Sequence, residues 1–295
     1  STLTMSCRDA MQSCHQIKVE IPDTDMERSL KCFYNGLVNA GMWTSQQGYG
    51  TGNQVDGWQI GTFWMPAVAM LAGVDAGEAT SADPYTPLEA WRAETERLID
   101  RTNHQGQIEY GFCYQRNQEG WITPEAGLVF LRRLEAYYLA TGDIELIAEH
   151  FDRVKGILDG LRPHRSDNLL KFDQTAQKLL VYFDAWLPDG TITYLNNWYV
   201  RALQAYAVLS DAAGRPDEAK RARESRKATI KAMNEYLWDD HAFGPNRGGY
   251  VDFIDCSGKK HCFFCSATEY LAIACGVADQ QKAAEILETA NERLD

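Results

Sequence analysis

The sequence predicts an all-α chain, an α/α toroid of helical hairpins with short β-hairpins in its connecting loops. Three observations predict it. Nine stretches carry apolar residues at three- and four-residue steps, the period of a helix face. Helices with a charged face alternate with helices that are apolar, the second and eighth almost wholly and the fourth and sixth largely. The connections alternate as well: long aromatic loops precede the uncharged helices, and short Gly or Asp turns mostly precede the charged ones. This is the signature of stacked helical hairpins. Charged helices then form an outer ring and uncharged ones an inner ring. All inner helices start at one end, so the long loops share one mouth.

Each element has its own signal. Residues 1–20 show no clear period, and Ile21-Pro22-Asp23 opens a first helix to about residue 40, striped by Met26, Leu30, Phe33 and Leu37. A loop over 43–58 carries Asp56 and Trp58. The second helix, 60–71, has no charge. Thr86-Pro87-Leu88-Glu89 is a capping box with Pro in the first helical position, and starts a third helix to about 102. The next aromatic loop, 104–121, contains Glu109 and Trp121. Thr123-Pro124-Glu125 starts the fourth helix, Gly142 ends it, and Asp143 caps a fifth that reaches about 161.

Residues 168–184 read as a short β-hairpin, with Leu170 and Phe172 on one arm and Leu180 and Tyr182 on the other. The sixth helix aligns Leu195, Tyr199, Ala202, Tyr206, Leu209 and Ala213 on one face. Gly214 stops it, and Pro216-Asp217 begins a charged seventh helix to about 238. The Gly-rich loop 239–260 holds Asp252 and Asp255. A nearly uncharged eighth helix, 263–275, ends at Gly276, and Asp279 caps the ninth.

The totals bound the function. The 295 residues suit one domain over 1–295, and a 45% hydrophobic share suffices for a large core. A net charge of −12 argues against a nucleic-acid partner, which needs clustered Lys and Arg. No apolar run has transmembrane length, so no membrane partner is expected. The chain begins at Ser1, which fits a processed form or part of a longer chain with further domains. Cys7 with Cys14, and Cys256 with Cys262, are spaced for local disulfides; such bridges need an oxidising compartment and point to a secreted protein. Buried free thiols account for the same residues.

The candidate site centres on the loop before the sixth helix. Asp184, Trp186, Asp189, Asn196 and Trp198 crowd there with three Tyr. Flat rings cover the apolar faces of a pyranose, and carboxylates handle its hydroxyls and protons, so the expected partner is a carbohydrate. A plain turn at Asp189-Gly190, with the Trp rings in ordinary core, accounts for the same stretch. If the loops share a mouth, Asp56, Glu109, Asp184, Asp189, Asp252 and Asp255 converge there.

Residues 182–209 (YFDAWLPDGTITYLNNWYVRALQAYAVL) and the turn Ala213-Gly214-Arg215-Pro216 resemble the six-hairpin glycosidases, and are most similar to the α-L-rhamnosidase catalytic domain. Gly249-Tyr250-Val251-Asp252 and Tyr137-Tyr138-Leu139-Ala140-Thr141-Gly142-Asp143 fit the same family. The helix around Trp64 is more reminiscent of acid trehalases. The resemblance covers 120–295 and, loosely, 20–80. It implies a glycoside hydrolase that inverts with paired carboxylates and needs no cofactor. It places the acid at Asp184, or at Asp189, and offers Asp252, Asp56 or Glu109 as the second carboxylate. Trp58, Trp121, Trp186 and Trp198 are then sugar platforms, and Asn196 and Asp255 further contacts. The family's Arg- and Glu-rich acid motif is not visible here, and its late loop with the second carboxylate would fall beyond residue 295. A closed toroid of this kind has twelve helices, against the nine expected here.

Two other readings fit. A non-catalytic toroid would keep the cleft and bind sugar without turnover. Cys256, His261, Cys262 and Cys265 have zinc-like spacing, as in zinc-dependent toroids of the lanthionine-cyclase type; a Cys256–Cys262 disulfide accounts for them equally.

Overall fold

The computed structural model describes residues 92, 95, 96, 98–100, 102, 121, 122, 124–173, 178, 179 and 189–294. The first two expected helices, the Cys7–Cys14 pair, and Asp56, Trp58, Glu109, Asp184 and Trp186 lie outside the described residues, as do Leu180 and Tyr182 of the expected hairpin. The described part is mostly helical: α1 (Pro124–Thr141), α2 (Ile144–Glu149), α3 (Phe151–Asp159), α4 (Thr193–Ala212), α5 (Pro216–Tyr236), α6 (Ser266–Ala274) and α7 (Gln280–Leu294). No described helix is long and apolar enough to cross a membrane.

Nine two-residue strands link them: β1 (Trp121–Ile122), β2 (Arg165–Ser166), β3 (Leu169–Leu170), β4 (Lys178–Leu179), β5 (Thr191–Ile192), β6 (Trp238–Asp239), β7 (Gly249–Tyr250), β8 (Phe253–Ile254) and β9 (Lys260–His261). Pairing is local except for parallel β1–β4 and the three-stranded β5-β8-β9 sheet.

The chain divides into two compact units. The first takes in residues 1–101, 109–117 and 136–143; the second takes in 102–108, 118–135 and 144–295. In the first, Asp143 directly precedes α2. Its Oδ2 accepts hydrogen bonds from the Tyr137 hydroxyl and from Arg92 Nη1, both at 2.7 Å.

In the second unit, α4 and α5 follow their sequence patterns. In α4, buried residues run right round the helix, from Thr193 to Ser210. Leu195, Val200 and Leu209 are fully buried there, each stabilising the fold by about 1.5–3 kcal/mol. Its partner α5 is rich in Lys, Arg and Glu and buries one stripe: Ala219, Ala222, Thr229, Ala232 and Met233. Buried and wet helices thus pair as expected. Val200, Met233, Leu237, Tyr250, Val251 and Ile286 are core shared by α4, α5, the β7 loop and α7.

Three expectations are corrected. The fifth helix is two, α2 and α3, broken at His150. The first arm of the expected hairpin, β3, pairs back onto β2, with Arg165 opposite Leu170. Asp167 and Asn168 form the tight turn at φ +52° and +65°, the left-handed pair that a two-residue hairpin needs. The eighth helix starts at Ser266, not Phe263, and is not buried all round; Tyr270 is 42% exposed.

Candidate functional site

The first turns of α1, α4 and α6 meet. The Tyr194 hydroxyl, in the first turn of α4, donates to Glu125 Oε1 in the first turn of α1. Asn197 Nδ2, one turn into α4, donates to the Thr268 carbonyl of α6 at 2.9 Å. Thr193 ties the same end to the strand loop, its N–H to the Asp252 carbonyl at 3.0 Å and its hydroxyl to that of Val251. Three largely apolar helices therefore begin at one place, as their leading loops suggested.

The β5-β8-β9 sheet frames that place. Gly190 is required there. Its φ is +77°, and a Cβ on it would stand 2.0 Å from the Ile254 carbonyl oxygen. Only glycine lets the chain leave Asp189, bridge to Phe172 and enter β5 against β8. Asp189, half-buried, therefore lies beside the Asp255–Cys256 corner; burial, then the charges of Asp189 and Asp173, push the Cys256 thiol up.

Asp252 precedes β8 and is 1% exposed. Its carboxylate accepts from the backbone N–H of Phe263 and of Cys265, the latter at 3.3 Å. These bonds shape the segment before α6. Phe264 between them takes a left-handed φ of +57°, which delays the helix to Ser266. Burial raises the Asp252 carboxyl above its ordinary value, and the two N–H groups with the Thr268 hydroxyl partly offset this.

Glu269 is the residue that the sequence reading missed. It is fully buried in α6, and its Oε1 accepts the Tyr250 N–H at 3.0 Å. Its Oε2 is buried without a hydrogen-bond partner, as is Asn197 Oδ1. Burial first, and the Asp252 charge second, push its carboxyl up to about 8, so it carries its proton at neutral pH. The signal was available: Glu269 is the single charge in an otherwise apolar helix, and a lone charge there is rarely on the surface. Glu125 was hidden differently, since an acid in a first helical turn suits the helix dipole without further purpose.

The remaining candidates separate. Asn196 is buried and serves the backbone: its Oδ1 accepts the Leu170 N–H at 2.8 Å, and its Nδ2 donates to the carbonyls of Leu170 and Ile192. Trp198 is half-buried and meets Tyr194 edge-on at 6.5 Å. Trp121 contributes its backbone to β1, facing Lys178. Asp255 sits at the outer corner of the β8–β9 hairpin, its Oδ2 2.8 Å from His261 Nε2.

The cysteine expectations fail where they can be checked. Cys256, Cys262, Cys265 and Cys275 are all free, so the Cys256–Cys262 bridge is absent. Among the described residues, no group of three or more His, Cys, Asp or Glu is arranged to hold a metal, so Cys256, His261, Cys262 and Cys265 do not form a zinc site.

No family model and no curated protein matches this sequence. Solved structures do. A GH78 family rhamnosidase of Bacillus sp. GL1 superposes with a TM-score of 0.61 at 20% identity over 87% of this chain. A rhamnosidase from Klebsiella oxytoca with rhamnose bound superposes with a TM-score of 0.54 at 15% identity over 69%. The fold is glycosidase-like. The match spans 26% of the first protein and 38% of the second, so this chain corresponds to only part of either.

Proposed function

We propose that the chain is the helical part of a glycoside hydrolase of α-L-rhamnosidase type, built as an α/α toroid, with its site where α1, α4 and α6 begin. One observation carries this reading: in a fold similar to two rhamnosidases, the first turns of α1, α4 and α6 meet, with the Glu125 carboxylate of α1 bound to Tyr194 of α4. Asp184 is the general acid, and Asp189, five residues on and just before β5, is the second carboxyl. Asp252 acts as a positioning residue, because both its oxygens already hold the backbone before α6. Trp186 and Trp198 flank the sugar, with Trp121 contributed by an earlier loop. The substrate is an oligo- or polysaccharide, and hydrolysis inverts the anomeric centre, with a water between the two carboxyl groups.

The test is hydrolysis of a panel of p-nitrophenyl glycosides. Release from the α-L-rhamnoside is expected, with Asp184→Asn and Asp189→Asn each losing at least about 100-fold in kcat while remaining folded. Full activity in both variants would overturn the residue assignment. Wild-type binding of rhamnose-containing oligosaccharides without turnover favours the non-catalytic toroid, which the occupied carboxylate of Asp252 also suits.

A further inference from the structure

A second polar cluster lies one layer below. Arg132 is the ninth residue of α1 and Arg201 the ninth of α4. The first turns of these helices touch, so at 1.5 Å per residue both arginines lie roughly 12 Å below the helix starts. Glu135, one turn along α1 from Arg132, forms an ion pair with Arg201 Nη2. Arg226 of α5 reaches the same layer, where its Nη2 donates to the Cys275 carbonyl at 3.0 Å. All three guanidinium charges act on the Cys275 thiol.

The charges there do not balance. Three guanidinium groups face one carboxylate, in a chain whose net charge is −12. Among the described residues, Arg132 and Arg226 have no ion-pair partner. Arg201 Nη1 and Arg226 Nε are buried donors without an acceptor. Burial, then the charge of Arg201, pull the Arg132 guanidinium below its ordinary value, the mark of two like charges sharing a partly dry space. Cys275 does not supply the missing anion, since burial pushes its thiol up to about 11 and keeps it neutral. Orphaned guanidinium donors and uncompensated, half-buried charge are both costly. A doubly charged anion would relieve both.

We infer that Arg132, Arg201 and Arg226 form a binding site for a phosphate dianion, distinct from the proposed sugar site. Guanidinium forks suit the oxygens of a tetrahedral anion, each fork donating two bonds. The free donors are Arg201 Nη1, Arg226 Nε and the Arg132 fork, while Glu135 keeps Arg201 in place.

The probes are inorganic phosphate and glycerol 3-phosphate, read by calorimetric titration and by thermal melting against sodium chloride of equal ionic strength. Phosphate is expected to raise the wild-type melting temperature by several degrees more than chloride, with a millimolar or tighter Kd. Arg132→Gln and Arg226→Gln should each weaken phosphate binding at least tenfold, and Arg132→Lys should retain part of it. Tighter binding of glycerol 3-phosphate than of phosphate would point to a phosphorylated molecule as ligand; the reverse would point to the free ion. Equal effects of phosphate and chloride on the wild-type protein would overturn the site, even if a variant failed to fold. So would unchanged binding in both Gln variants. Since neither measurement involves sugar turnover, failure here leaves the hydrolase reading untouched, and the reverse holds too.

Discussion

Strand β8 is flanked by an aspartate on each side, and the two live in opposite surroundings. Asp252 is dry, with its carboxylate turned inward to backbone N–H groups and to a second buried acid, Glu269. Asp255 is wet. Its Oδ1 accepts from the Ser257 N–H and hydroxyl and from the Lys259 N–H, and its Oδ2 meets His261. Burial raises the Asp252 carboxyl, whereas the hydrogen bonds of Asp255, that to His261 first, hold its carboxyl well below the usual carboxylate range. Successive residues of a strand face opposite sides, and an odd spacing of three puts these side chains on opposite faces. Residue type alone therefore says little about an acid's role; the face it takes decides which proton chemistry it has.

Breaking the strand should affect both sides at once. Gly190→Ala drives a Cβ into the Ile254 carbonyl at 2.0 Å and strains a φ of +77°. A loss of about 4 kcal/mol is expected in urea unfolding, the largest effect here. Asp252→Ala comes next, at about 3 kcal/mol, because it leaves buried N–H groups without an acceptor. Asp255→Ala should lose only a small fraction of that, since water replaces each of its bonds. Equal losses in the two Asp variants would end the contrast.

The dry side also sets a pH dependence. Glu269 is raised from an ordinary 4.5 to about 8. A raised acid keeps its proton in the folded state where the unfolded chain has lost it. Its contribution to stability is therefore complete below about pH 4.5 and falls as pH rises to about 8. Relative to Glu269→Gln, the wild-type protein should lose stability steadily across that window. Parallel stability curves for the two proteins would show that Glu269 is not the group responsible.

What could be read in the sequence was local. Gly142, Gly214 and Gly276 were each expected to stop a helix, and each adopts φ near +68° just past one. Pro124 and Pro216 open α1 and α5 as expected. The pairing of buried α4 with charged α5 followed from periodicity, and the shared start of α1, α4 and α6 from the alternation of loops. What escaped depends on contacts far apart in sequence. No local pattern says that Asp252 holds N–H groups eleven and thirteen residues on, or that Arg201 meets Glu135 across 66 positions. The Asp167-Asn168 turn was local and readable; the weak alternation further on drew the hairpin away from it.

The smallest effect tests the wet side by itself. His261 stacks flat on Phe253, with ring centres 4.1 Å apart, which fixes its ring while Nε2 meets Asp255. If that contact is the main reason that Asp255 stays ionised at low pH, His261→Ala should let the carboxyl titrate closer to its ordinary range. The Ser257 and Lys259 bonds would still hold it somewhat low. Carbon-detected NMR titration of the Asp255 side chain reads this directly, with little change in overall stability. Because the opposite face should not sense the change, the titration of Asp252 and Glu269 should stay where it was. Movement of those two groups in His261→Ala would mean that the strand couples its faces rather than separating them.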